Sequence, residues 1–158
     1  MAIYMKFGAT KGDVSTTQYK DWIMVHSFQF GVGRAIHSAA GSGANRQGSH
    51  ASVSEVTISK SLDPASLALF SNALVGKLDT KVEFAFTIAN DKNDEYLHIT
   101  LTDTGVSGYS MSSGGDRPSE SVSLNFAKID YKEITLDDKG GKPKPQTKIY
   151  DLMTHTLS

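Results

Sequence analysis

The stretch Lys81–Leu101, KVEFAFTIANDKNDEYLHITL, alternates apolar and polar residues on both sides of a polar turn. Val82, Phe84, Phe86 and Ile88 stand against Lys81, Glu83, Ala85 and Thr87; after the turn, Leu97, Ile99 and Leu101 stand against Tyr96, His98, Thr100 and Thr102. Period-two alternation predicts two half-buried strands, and NDKND at Asn90–Asp94 has the composition of a hairpin turn. An antiparallel pair must cover one apolar face with something, so the rest of the chain is read for what covers it.

Upstream, Ala2–Phe7 alternates in the same way, and Lys11–Lys20 reads as polar connection. Asp21–Phe30 is a second strand with Trp22, Met24, His26, Phe28 and Phe30 on one face and Ile23, Val25, Ser27 and Gln29 on the other. Gly31–Ser52 is rich in Gly, Ser and Ala and predicts a long loop. Val53–Ser59 resumes a strand. Then the period changes: in LDPASLALFSNALVGKL, Leu62–Leu78, the residues Leu67, Phe70 and Leu74 recur at helical spacing. Asp63 as N-cap, Pro64 at the first helical position and Gly76 at the end bound one helix at about Pro64 to Val75, with Leu62 placed to staple onto Leu67. The Leu67, Phe70 and Leu74 stripe is expected to bury itself against the strands.

Downstream, Val106–Met111 stays extended up to the SSGGDRPS turn. Val122, Leu124 and Phe126 alternate, after which Ala127, Ile129 and Tyr131 carry the apolar phase, and this slip predicts a bulge near Phe126 to Lys128. Asp137–Gln146 reads as a Gly/Pro turn and Lys148–Thr154 as a last strand. The sum is a mainly β chain: one domain over 1–158, a small antiparallel β-barrel of roughly seven or eight strands with one flanking helix and a long loop at about 31–52.

The charge balance, 16 Lys and Arg against 17 Asp and Glu, creates no field toward a phosphate backbone and argues against a nucleic-acid partner. Cysteine is absent, which removes disulfides, thiolate metal sites and cysteine nucleophiles. The start of the chain lacks an apolar run, so neither a signal peptide nor membrane insertion is expected. The glycines from Gly31 to Gly48 lack the Lys-Ser/Thr and the strand-turn-helix context of a phosphate loop. His26, His37, His50, His98 and His155 have no metal-ligand spacing, and no spacing brings two of Glu83, Glu95, Asp103, Glu120 and Asp130 into one pocket. Accordingly, no catalytic, metal or cofactor-binding residue is expected, and the chain is not read as an enzyme.

Several blocks in fixed order carry a resemblance: FQFG at Phe28–Gly31 before a Gly/Ser loop, VTISKSLD at Val56–Asp63, EYLHITL at Glu95–Leu101, and ESVSLNFA at Glu120–Ala127 with Tyr131 beyond. From Ile3 to about Tyr131 the chain resembles the haemolysin-coregulated protein (Hcp) family, tube subunits of bacterial type VI secretion systems. The family's last strand often contains tryptophan, whereas Tyr150 and Leu152 occupy that region here. The resemblance implies a β-barrel that closes with five copies of itself into a hexameric ring. Rings would stack into a tube below a spike and inside a sheath, expelled from the bacterial cytoplasm without a signal peptide, and some members carry effectors in the lumen.

By that resemblance, Gln29, with Ser27 beside it, faces the lumen; a small serine is common at the Gln29 site, so this chain departs from the family there. The loop carrying Ala39, Gly41, Asn45, Arg46 and Gln47 would touch the next ring. The helix's polar face, Ser66, Ser71 and Asn72, and the Tyr96 and Thr100 face are expected to meet the neighbouring subunit. A second reading, a small ligand-binding barrel without ring assembly, needs a cavity that Trp22, Phe28, Phe84 and Phe86 would fill instead.

Overall fold

The structure, a computed structural model, describes residues 1–36, 50–135 and 144–158. In chain order the elements are β1 (Ala2–Phe7), a 3-10 turn (Thr17–Tyr19), β2 (Ile23–Val25), β3 (Ser27–Gln29), β4 (Val32–Gly33), β5 (Ser52–Val53), β6 (Val56–Ser61), α1 (Ser66–Val75) and β7 (Thr80–Thr87). They continue with β8 (Glu95–Ser112), β9 (Ser119–Asn125), β10 (Lys128–Thr135), β11 (Lys144–Asp151) and β12 (Thr156–Leu157). The chain is mainly β with one helix among the described residues, as its periodicity requires.

The β7–β8 hairpin lies at the centre, with Phe84 opposite Ile99 and Val82 opposite Leu101. Its turn closes as the composition requires: the Ile88 amide donates to the Asp94 carbonyl, and Asn93 takes the left-handed conformation. One sheet runs β12-β11-β10-β8-β7-β1-β2, and a branch β3-β6-β9 joins it through β8. The 18-residue β8 serves both parts: its first half pairs with β7 and β10, its second half with β9. The change of partner falls at Asp103, whose φ of 51° bends the strand. A side chain on Gly105 would collide with Leu78, so the bend also lets the end of the helical segment close down on the strand. The expected barrel therefore takes the form of a branched, curled sheet around one core, without closure into a single ladder.

The phase slip after Phe126 is present as the break between β9 and β10, where the chain leaves β6 and crosses to β11. A second slip lies in the segment 21–30, which the alternation assigned to one unbroken strand. Ile23 and Val25 are buried and pair with β1, whereas Phe28 turns inward beyond His26 and pairs with β6. Two consecutive outward residues, His26 and Ser27, make the switch, so Met24 and His26 do not share a face with Phe28. Phe28 meets Phe84 and Phe86 edge to face at 4.9 and 5.1 Å, and this aromatic cluster fills the centre.

Three further expectations are corrected. Helix α1 buries Leu69, Ala65 and Ser66, while Leu67, Phe70 and Leu74 remain 74, 45 and 67% exposed. The helix offers two apolar stripes, and the one flanked by small residues lies close to β8, where the Asn72 side chain accepts from the Val106 amide at 2.9 Å. Leu62 and Leu67, the expected staple pair, both stand on one surface groove, 36 and 74% exposed. Second, the outer face of β7 is not free: Val14, Tyr4 and Tyr19 cover Ala85, with the Tyr4 and Tyr19 rings stacked at 4.6 Å. Gly12 permits this cover, since a Cβ there would lie 2.3 Å from the Trp22 carbonyl oxygen. Third, β11 begins at Lys144, so Pro145 and Gln146 belong to the strand and not to the turn. Pro145 is accommodated because β12 pairs only with Tyr150 and Asp151, leaving that edge of β11 open.

Candidate functional site

Alternation along four paired strands builds one distinctive surface. Ser27 and Gln29 of β3 lie beside Ser59 and Thr57 of β6, which lie beside Ser121 and Ser123 of β9, which lie beside Ser110 and Gly108 of β8. Ser61, Ser119 and Ser112 extend the same face by one row. Each strand sends its apolar residues (Phe28, Ile58, Val122) to the core, so the opposite parity is left to small hydroxyls. Ser27 and Gln29 are both exposed. Hydroxyl contacts such as Ser27 Oγ to Ser59 Oγ cross-link the face, and His26 Nε2 lies 2.9 Å from Ser61 Oγ at its edge; the Ser, Thr, Gln and Gly residues of these rows carry no formal charge. The alternating hydroxyl residues Thr57, Ser59 and Ser61, and Ser119, Ser121 and Ser123, are the signal that could have disclosed this face.

Beneath the opposite side of β6 and β9 lies a buried ionic cluster. Lys60 Nζ donates to Glu120 Oε2 at 3.0 Å, Asp63 Oδ1 at 2.9 Å, Ser66 Oγ at 3.0 Å and the Ser61 carbonyl at 3.0 Å. The Ser66 hydroxyl in turn donates to Glu120 Oε1. Asp63 also caps the helix: Oδ1 accepts from the Ala65 amide, and the Asp63 amide donates to Ser66 Oγ, a reciprocal cap. By this geometry the helix starts after Asp63, although regular helix begins at Ser66. The Lys60 and Glu120 side chains are fully buried, so the cluster joins β6, β9 and α1 and offers no reacting group to solvent. Burial and the neighbouring Glu120 hold the Tyr109 phenol above its ordinary range. Two carboxylates do therefore share one site, which the sequence did not suggest; residues 60 and 120 are far apart in the chain.

A second polar group stands on the outer face of the β7–β8 hairpin. His98 Nδ1 lies 2.6 Å from Glu95 Oε1 and Nε2 lies 3.4 Å from Glu83 Oε1, while Tyr19 donates to Glu95 Oε2 at 3.1 Å. With carboxylates at both ring nitrogens, the imidazolium is favoured. The hydrogen bond to Glu95 raises the His98 pKa above 6.5, burial opposes it, and the charges of Glu95 and Glu83 add to the rise. A pKa raised on folding contributes stability that is full below the unfolded value and is lost as pH rises through the folded one. His98→Gln is therefore expected to destabilise the chain by about 1–2 kcal/mol at mildly acidic pH and by much less in alkali. Urea unfolding at both pH values checks it; an equal loss at both would exclude a charged His98.

The other residues assigned to contacts are distributed unevenly. Ser66 is buried within the ionic cluster, Asn72 is half-buried with its Oδ1 bonded to the Val106 amide, and Ser71 is exposed. A register shift at Phe86/Thr87 turns Tyr96 toward Phe86, away from the face of Thr100, which lies between Glu83 and Asp130. Ala39, Gly41, Asn45, Arg46 and Gln47 lie outside the described residues, but the loop's base is visible as the β4–β5 ladder. His50 is exposed and stacks on His155. Among the described residues no group of three or more His, Asp or Glu is arranged to hold a metal ion, and no helix is long and apolar enough to cross a membrane.

Comparison with known proteins converges on one family. Residues 4–132 match the family described as type VI secretion system effector, Hcp. Among solved structures, the chain is similar to one titled as a type six secretion system protein, with a TM-score of 0.90 and 24% identity over 99% of each chain. It is similar to Hcp1 from Salmonella typhimurium, with a TM-score of 0.77 and 23% identity over 99% of this chain and 98% of that one. A type VI secretion system effector from Yersinia pestis follows, with a TM-score of 0.73 and 24% identity over 94% of this chain and 98% of that one. No curated protein matches. At such identities the structural likeness speaks for the fold, and the family match speaks for kinship.

Proposed function

The chain belongs to the Hcp family of type VI secretion proteins, and from that membership we propose that it is a tube subunit, six copies closing into a ring and rings stacking into the expelled tube. The observation that carries this reading is the outward apolar face of α1. Leu67 and Phe70, with Leu62, Tyr109 and Met111 beside them, border a groove that is open among the described residues, and Leu74 is exposed on the same helix. Apolar surface of this kind marks a contact site, and a cyclic assembly buries it by placing a different face of the next copy on it. The neighbour contact thus moves from the polar residues of the helix to its large apolar ones, with Ser71 and Thr100 as candidate rim positions.

The hydroxyl face around Ser27 and Gln29 then lines the lumen. A wall made mostly of short hydroxyl side chains, with Glu55 at one end bonded to Ser107 and Asn125, suits passage or weak retention of effectors, since it presents many hydrogen-bonding groups and little charge to trap cargo. The remaining partners on this reading are the spike, the sheath and the effectors, and the route runs from the bacterial cytoplasm out through the apparatus. The role is structural and needs no cofactor.

Native mass spectrometry tests the ring. The unaltered protein is expected as a hexamer, and Phe70→Asp as a folded monomer that loses about 1 kcal/mol of unfolding free energy with its edge contact to Tyr109. A strictly monomeric unaltered protein would sink the ring; a hexameric Phe70→Asp would remove the helix face from it.

A further inference from the structure

The β4–β5 hairpin is attached to the body at few points. Its two-residue ladder belongs to neither part of the main sheet, and among the described residues its backbone is held by the Ser54 amide donating to the Gly31 carbonyl at 2.8 Å and the Gly31 amide donating to Ser54 Oγ at 2.7 Å. Phe30, Val32 and Val53 form one wall of an apolar groove whose other wall is Tyr131, Tyr150 and Leu157 of the last three strands. At the margin, His50 from the hairpin's return stacks on His155 from the β11–β12 turn, with centroids 4.4 Å apart and ring planes 14° from parallel.

We propose that the His50–His155 stack is a protonation-sensitive clasp that holds the hairpin base to the C-terminal strands while at most one ring is charged and releases it when both are. Histidine changes charge between about pH 5 and 8. Two neutral rings stack as aromatics, and one imidazolium on a neutral ring gains a cation–π attraction. Two imidazoliums face to face at this separation repel, and solvent is on hand to accept both rings once they part.

His155 is held in place for this role. It has a φ of 55°, its Nδ1 lies 3.5 Å from the Tyr150 hydroxyl, and the Asp151 carboxylate that shapes the turn is bound to the Met153 and Thr154 amides. Beyond Tyr150 and Asp151, the elements around the stack carry Arg34 after β4, Lys128, Asp130, Tyr131, Lys132 and Glu133 on β10, and Lys144 and Lys148 on β11. Lysine, arginine and carboxylate side chains ordinarily keep their charge between about pH 5 and 8, so the two imidazoles are the groups whose charge changes across that range. If the tube reading above is right, the clasp lies at the base of the loop assigned to ring stacking; the clasp itself does not require that reading.

Hydrogen exchange of the Ser54 amide tests it, corrected for intrinsic rates and recorded with native mass spectra so that any change of assembly is seen separately. Protection in the unaltered protein is expected to fall roughly tenfold between about pH 7.5 and about pH 5. His50→Phe leaves one imidazolium on an aromatic face, so protection is expected to hold or rise in acid; His50→Ala is expected to be poorly protected at both pH values. Equal protection of the unaltered protein at both pH values, or an acid loss in His50→Phe as large as in the unaltered protein, overturns the clasp. An acid loss of protection with unchanged ring mass would leave the tube reading intact, and a monomer with a working clasp would remove only that reading.

Discussion

Lys60→Met is expected to destabilise the protein by about 3–5 kcal/mol, a large part of the roughly 5–15 kcal/mol that holds a typical domain together. The cause is the charge left behind. Lys60 is the single cation among the described residues that meets Glu120 and Asp63 in the closed space under α1, with side-chain exposures of 0% for Lys60, 0% for Glu120 and 5% for Asp63. Removing the ammonium leaves Glu120 with neutral partners, the Ser66 hydroxyl and the neighbouring Tyr109 phenol. A pair of charges buried in this way is a different matter from its net contribution: replacing both by apolar residues of similar size is often neutral or stabilising. Lys60→Met combined with Glu120→Leu should therefore recover much of the loss, even though it alters two residues and not one. Urea unfolding of the single and double variants decides the point. A single variant that loses no more than about 1 kcal/mol, the range of a surface pair, would show that the cluster is solvated in solution.

Phe84→Ala is the second large effect, at about 3–5 kcal/mol. Phe84 is fully buried, lies opposite Met5 on one neighbouring strand and Ile99 on the other, and has the Phe28 ring against its edge at 4.9 Å. Three rigid neighbours from different strands cannot collapse into the space, so the lost contacts are compounded by a cavity. Phe28 also anchors β3, which carries Ser27 and Gln29 on its other face, so the hydroxyl surface should loosen along with the core. Phe84→Leu keeps most of the volume and should cost under about 1.5 kcal/mol. Unfolding free energies of the two variants check this, with hydrogen exchange of β3 as the companion measurement; a Phe84→Ala loss below that of Phe84→Leu would contradict the packing described.

The residues show why some features could be read in advance. Lys81–Leu101 is a hairpin because its periodicity and its turn are local facts, and the same holds for the strand at Ala2–Phe7 and for the presence of one helix among the described residues; the strand read at Val53–Ser59 lies instead at Val56–Ser61, after the separate short β5. The family, too, was legible in the order of FQFG, VTISKSLD, EYLHITL and ESVSLNFA, and Ser27 and Gln29 were correctly expected to point away from Phe28. The helix's orientation was not legible: Leu67, Phe70 and Leu74 make the larger apolar stripe, and a wheel ranks stripes by hydrophobicity. The sheet instead accepted the side with Ala65, Ser66 and Leu69, because small residues allow close approach and Glu120 and the Val106 amide supply partners for Ser66 and Asn72.

The polar groups were missed for a related reason. Lys60 with Glu120, His98 with Glu83, Tyr19 with Glu95 and His50 with His155 each join residues from different elements, and nothing in the spacing of either partner along the chain announces the other. By itself the sequence determined the β class, the central hairpin, the helix's existence and the kinship with the secretion family, since these depend on local periodicity and on blocks in order. Only the tertiary structure decided which helix face stays in water, where two strands change sheets, and which charges are buried together, because each of those depends on the shape and chemistry of a surface contributed by residues distant in the chain.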